Sequence, residues 1–106
     1  MPVSHGERAA SMLAQAAQQS EAAPGVTRLP FTPAHQSMLD HLTTWMEAAG
    51  LAVHLDAAGT LVGRVEGERE GPVLLLGSHQ DSVRQGGAYD GIMGVILPIV
   101  ALGALR

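Results

Sequence analysis

Four consecutive large apolar residues, Val73-Leu74-Leu75-Leu76, stand between Pro72 and Gly77, and a polar cluster follows at once: Ser78, His79, Gln80 and Asp81. A strand with one wet face alternates apolar and polar side chains, whereas a run without alternation needs cover on both faces. The run therefore predicts a central strand over 72–77, in a sheet with helices on both sides. Open α/β sheets place their ligands beyond the carboxyl ends of the strands. The polar cluster falls at that end.

The rest of the chain supplies candidate neighbours. A first helix is expected over 6–22, with Ser4 as N-cap and Glu7 at capping-box spacing. Ala9, Met12, Leu13, Ala16 and Ala17 form its apolar stripe, and Pro24-Gly25 stops it. A short linker with one charge, Arg28, leads to a second helix. Thr32 is its N-cap, and Pro33 takes the first helical position, where its missing N–H costs nothing. Met38, Leu39, Leu42, Trp45, Met46 and Ala49 share one face, and Gly50 ends the helix. Alternation over 51–56, a turn at Ala57-Ala58-Gly59 and an apolar stretch over 60–65 predict an antiparallel hairpin. After the 72–77 strand, Gly86-Gly87 marks a loop. Asp90 then precedes an apolar helix in which Gly91 and Gly94 permit close packing and Pro98 forces a kink or restart.

Composition narrows the function classes. The 106 residues fit one domain, and 46 % hydrophobic content excludes a disordered chain. With one Trp, one Tyr and one Phe, the core must be aliphatic. Net charge is −4 and all six basic residues are scattered arginines, so neither nucleic acid nor an anionic membrane is an expected partner. There is no cysteine, so any metal would be held by His, Asp and Glu. No basic segment leads into an apolar stretch at the N-terminus, and the apolar run Gly91–Leu105 is too short to span a bilayer. A cytoplasmic location is the expectation.

Three residues carry the candidate chemistry. His79 and Asp81 are two apart, so in extended backbone their side chains point the same way. A carboxylate holding an imidazole is the usual support of a metal-ligating histidine. Asp90 returns after a glycine-bearing loop long enough to fold back. Taken singly, His79 and Asp81 more often describe a surface hydrogen bond, and Asp90 an N-cap. Their order behind a buried strand brings the metal-site reading level with that one and leaves both open.

Gly77-Ser78-His79-Gln80-Asp81-Ser82-Val83 followed by Gly86-Gly87-Ala88-Tyr89-Asp90-Gly91-Ile92-Met93-Gly94-Val95 resembles the M20-type metallohydrolases. Within them it resembles the amidase branch of N-carbamoyl-L-amino-acid hydrolases, allantoate amidohydrolases and β-ureidopropionases. Gly25-Val26-Thr27-Arg28-Leu29 with Phe31-Thr32-Pro33, Trp45–Leu51 and Asp56–Gly59 agree with that branch, so the resemblance covers essentially the whole chain. It implies an α/β fold. Residues 1–106 would be the N-terminal portion of a zinc-exopeptidase-like, three-layer α/β/α catalytic domain with a mixed sheet and flanking helices. The rest of that domain and a dimerisation domain would lie outside them.

The resemblance also implies roles. His79 would ligate one of two divalent metal ions (zinc, manganese, nickel or cobalt), Asp90 would bridge both, and Asp81 would be the catalytic-site residue that orients and polarises His79. A metal-activated water would attack a carbamoyl or ureido carbon between cations about 3.5–4 Å apart. The substrate would be a small N-carbamoyl amino acid or ureide, and the full-length protein a homodimer. Two departures stand out. Thr60 occupies a position where this branch often has Asn. The family's paired glutamates and its two further histidine ligands have no counterpart here, so the isolated chain is expected to be inactive and to bind metal weakly. His5, His35, His41 and His54 match no family ligand and are read as surface residues. Arg28 is read as a solvated loop residue or one near the site mouth. The competing readings are a related peptidase or deacylase and a non-catalytic truncated domain.

Overall fold

The computed structural model describes residues 2–106. In sequence order it contains α1 (His5–Ala17), α2 (Pro33–Ala48), β1 (Ala52–Leu55), β2 (Leu61–Arg64) and α3 (Met93–Leu105).

Helix α1 starts as its capping residues dictate: the Ser4 hydroxyl accepts from the Glu7 N–H at 3.1 Å. Ala9, Met12, Leu13 and Ala16 are buried, which is the expected stripe, and they pack on α3. The helix ends at Ala17, five residues before the expected Ala22. The reason lies elsewhere in the chain. The Arg28 guanidinium takes the carbonyls of Ala16 and Gln19 at 2.8 and 2.9 Å, and Glu21 N donates to Thr27 O at 2.9 Å. These partners satisfy the last turn and pull the following residues off the helix axis.

Helix α2 keeps its expected cap, with Thr32 Oγ1 accepting from His35 N at 3.4 Å, and its expected apolar face. Met38, Leu39, Leu42, Met46 and Ala49 are buried and Trp45 is half-buried. Burying each large side chain there contributes roughly 1.5–3 kcal/mol. Gly50, with φ +92, supplies the left-handed residue that closes the helix. The chain then turns into an antiparallel hairpin pairing Ala52 with Arg64 and Leu55 with Leu61. Asp56 Oδ1 accepts from the N–H groups of both Ala58 and Thr60 at 2.9 Å, which fixes the turn. The hairpin packs on α2, and α2 touches α3.

The expected strand over 72–77 is not formed. Among the described residues the sheet has only β1 and β2, and Val73, Leu74 and Leu75 are 68, 82 and 87 % exposed. A strand exists only through its neighbours' hydrogen bonds, and no segment here pairs with this one. The apolar pattern is real; the covering layers it calls for are not among these residues.

Helix α3 differs from expectation at its start. It begins at Met93 and not at Asp90, and Ile92 stands at the cap position without a side-chain bond, so Asp90 is no N-cap. The helix runs on through Pro98. Ile92, Ile96 and Ile99 are buried, whereas Met93, Leu97 and Leu105 are exposed. A helix apolar all round calls for cover on every side, and here only one side has it. No helix among the described residues is long and apolar enough to cross a membrane.

Candidate active site

Residues 79–86 form no regular element, yet they are tied down along most of their length. Val26 and Gly86 exchange backbone hydrogen bonds at 2.9 and 2.8 Å. Ser82 N donates to Arg28 O, and Ser82 Oγ accepts from Arg28 N, both at 2.9 Å. Gln85 N donates to Thr27 Oγ1 at 2.9 Å. The linker 26–28 thus serves as a splint for the polar loop.

Arg28 is the centre of this splint and is only 2 % exposed. Its Nε donates to Gln80 O at 2.9 Å while Nη1 reaches the end of α1. Burial holds the guanidinium pKa below its ordinary value, and the nearby Asp81 charge partly opposes that shift. Arg28 is therefore neither a solvated loop residue nor a residue at the site mouth. A signal was present in the sequence: it is the one charge between Glu21 and His35. The connection to Gln80, 52 residues away, was not readable from spacing.

His79 and Asp81 are brought together. His79 Nδ1 lies 3.2 Å from Asp81 Oδ1 and 3.0 Å from Asp81 O, with both side chains partly exposed. With Nδ1–H donating to these oxygens, Nε2 keeps its lone pair. The ring lies flat against Gly91: a Cβ built there would fall 2.6 Å from both ring nitrogens. Gly91 has φ +78, so glycine meets a conformational and a steric demand at once. Gly94 approaches Ser78 in the same way, its notional Cβ 2.8 Å from Ser78 Cβ. These glycines admit the polar loop to the start of α3, the close packing expected of them.

Asp90 is the residue preceding Gly91, exposed in the turn, and makes no hydrogen bond or ion pair among the described residues. No three His, Asp or Glu side chains converge among the described residues. The structure thus joins His79 to Asp81, and brings the His79 ring to the residue after Asp90 without joining the Asp90 carboxylate to the pair.

His79, Gln80 and Asp81 also line a groove of about 250 Å³ with His35, Leu39 and Thr60. Gln80 is buried, its Nε2 donates to His35 O at 3.2 Å, and its Oε1 has no partner. His5 and His54 are exposed as expected, but two histidines are not simple surface residues. His35 is half-buried against Phe31, and His41 is half-buried with Nδ1 3.0 Å from Ser37 O and its ring edge-on to Trp45. Helix α2 presents both toward neighbouring side chains, a placement that single-residue reasoning does not supply.

No family profile matches the chain. Individual proteins do. An N-carbamoyl-L-amino-acid amidohydrolase of Paenarthrobacter aurescens is 43 % identical over 96 residues, covering 90 % of this chain and 23 % of that protein. Allantoate deiminase 1 of Glycine max is 35 % identical over 101 residues, covering 94 % of this chain and 21 % of that protein. The crystal structure of a hydantoinase/carbamoylase family amidase from Burkholderia ambifaria superposes with a TM-score of 0.87 at 30 % identity, over 97 % of this chain and 25 % of that one. The chain thus spans about a quarter of the length of the proteins it matches.

Proposed function

As a member of the hydantoinase/carbamoylase family of amidases, the chain is, we propose, the N-terminal portion of a metal-dependent amidohydrolase that cleaves the carbamoyl or ureido C–N bond of an N-carbamoyl-L-amino acid or of allantoate. The observation that carries this reading is the His79–Asp81 pair, set against Gly91 beside Asp90 within a chain that follows these enzymes over nearly its whole length.

The donor set fits a divalent cation. Asp81 occupies Nδ1 of His79, which fixes the ring and leaves Nε2 as the ligating atom. Asp90 offers a carboxylate with no competing partner. Nitrogen and oxygen donors without thiolate suit zinc, manganese, nickel or cobalt. When bound, a pair of such ions would polarise the scissile carbonyl and lower the pKa of a water molecule. The chain's own part is to present Nε2, to accept the hydrogen bond of Nδ1–H at Asp81, and to keep the loop in place through the 26–28 splint. Two protein ligands do not close a site that ordinarily takes three or four. Residues 1–106 by themselves therefore bind metal weakly and do not turn over substrate.

A chimera tests the proposal. Residues 1–106 would replace the matching segment of the Paenarthrobacter amidohydrolase. The expected result is a folded, manganese- or zinc-dependent hydrolase of N-carbamoyl-L-amino acids or allantoate that loses activity on His79→Ala. A soluble, metal-loaded chimera without that activity, or one indifferent to His79→Ala, would refute it. So would measurable turnover by the 106-residue chain alone.

A further inference from the structure

We infer that Arg28 is a positioning residue for the candidate metal site, acting on the His79–Asp81 pair through the Gln80 carbonyl between them. This deepens the proposed function and rests on it only for the metal.

A guanidinium 2 % exposed has given up nearly all its water, and among the described residues it forms no direct ion pair to compensate. What it has are three backbone carbonyls: Ala16 and Gln19 at the end of α1, and Gln80 in the site loop. Gln80 O belongs to the residue between the candidate ligand and its orienting carboxylate. Fixing that carbonyl fixes the peptide plane on which the relative direction of His79 and Asp81 depends. The planar fork of arginine serves both places at once, with Nε toward the loop and Nη1 toward the helix.

The backbone of the same residue repeats the connection. Arg28 N and O bond Ser82 Oγ and N. Arg28 therefore grips the loop on both sides of Asp81, through Gln80 O before it and Ser82 after it. Opposite, Gly91 seats the His79 ring. The ring is held between a rigid peptide and a helix start, although its own side chain is more than half exposed. An exposed ring acquires a defined direction only from such a frame.

A lysine at position 28 would keep the charge but not the fork. The test compares Arg28→Lys with Leu51→Ala, a core change outside the groove that the loop lines, at matched global stability. Nuclear magnetic resonance of the metal-free chain would follow the His79 ring signals and the exchange rate of the Ser82 amide. The expectation is a shifted His79 ring and at least about tenfold faster Ser82 exchange in Arg28→Lys only, as for loss of a hydrogen bond to a charged group. Equal behaviour of the two variants would overturn the inference.

Manganese added as a paramagnetic probe supplies the second arm. Broadening of His79 in the unaltered chain, weakened about tenfold or more in Arg28→Lys, is the expected result. Broadening that is identical in both would overturn the inference. No broadening of His79 in the unaltered chain would instead sink the metal reading, and the metal-free comparison would still decide the role of Arg28. If Arg28→Lys does not fold, the Arg28 Nε–H of the unaltered chain decides. Exchange as slow as that of the Ser82 amide supports the clamp, and free exchange with solvent refutes it.

Discussion

Gly91→Ala is the substitution that reads the candidate site most directly. Alanine at φ +78 enters the left-handed region at a cost of about 1–2 kcal/mol. Loss of glycine's freedom in the unfolded chain returns about 0.4–1 kcal/mol, leaving a net backbone cost near 1 kcal/mol. The new methyl would also sit 2.6 Å from both His79 ring nitrogens, so the ring must leave. Leaving breaks the Nδ1 contact with Asp81, worth about 0.5–1.5 kcal/mol for a partly exposed hydrogen bond. The total is about 2 kcal/mol. Gly50→Ala is the control: its φ is +92, and its methyl meets the exposed Arg106 side chain, which can swing aside at the loss of only a solvent-exposed hydrogen bond to Ala48 O. It is expected to cost about 1 kcal/mol. Urea unfolding followed by Trp45 fluorescence measures both, and 15N spectra of His79 report its tautomer. Gly91→Ala should lose the Nδ1–H form; Gly50→Ala should keep it. If Gly91→Ala leaves the His79 ring unchanged, or costs no more than Gly50→Ala, the seating of the ring on Gly91 is wrong.

Other expectations follow from contacts already described. Ser82→Ala removes the acceptor of Arg28 N and a contact with Val26 O, and should destabilise the chain by about 1–2 kcal/mol in chemical denaturation. Asp56→Ala frees two hairpin-turn N–H groups, but in solvent, so the loss should be about 1 kcal/mol or less. Leu74→Lys with Leu75→Lys should abolish concentration-dependent self-association of the chain, read by light scattering, because these exposed leucines are its largest uncovered apolar run. The Arg64 hydrogen bond holds the Glu66 carboxyl below its ordinary pKa, so its contribution exists above the unfolded-state pKa and fades as pH falls through the folded one. The pair is fully exposed, so Glu66→Gln should barely move the thermal midpoint at neutral pH. A gap that widened on acidification would contradict the sign of that shift.

What could be read from the sequence was local. The buried stripe of α1, the apolar face of α2, both N-caps and the hairpin follow from periods of 3.6 and 2 and from capping chemistry within a few residues. What could not be read depended on distant partners. Helix α1 stops early because Arg28 captures its carbonyls. The 72–77 run has a strand's composition, but pairing is a property of two segments and composition describes one. At the site, a spacing of two was enough to suggest the His79–Asp81 contact, and Gly91 was recognised as a place of close approach. That the approaching group is the His79 ring required three dimensions, as did the burial of Arg28 and Gln80.

The charged stretch Glu66–Gly71 reads at first as an ordinary exposed turn, yet it directly precedes the uncovered leucines. In a stacked assembly of this chain, each layer would set another copy of Glu66, Glu68, Arg69 and Glu70 about 4.8 Å above the last. That net negative ladder, with Pro72 unable to donate a backbone hydrogen bond, acts as a gatekeeper on the very segment most prone to stack. The protection is electrostatic and hence conditional. Salt that shortens the Debye length to about 3 Å at 1 M would remove it, and a kosmotropic salt would strengthen the apolar attraction as well. Through this stretch, rising ionic strength is expected to shift the chain from its dispersed form toward aggregates.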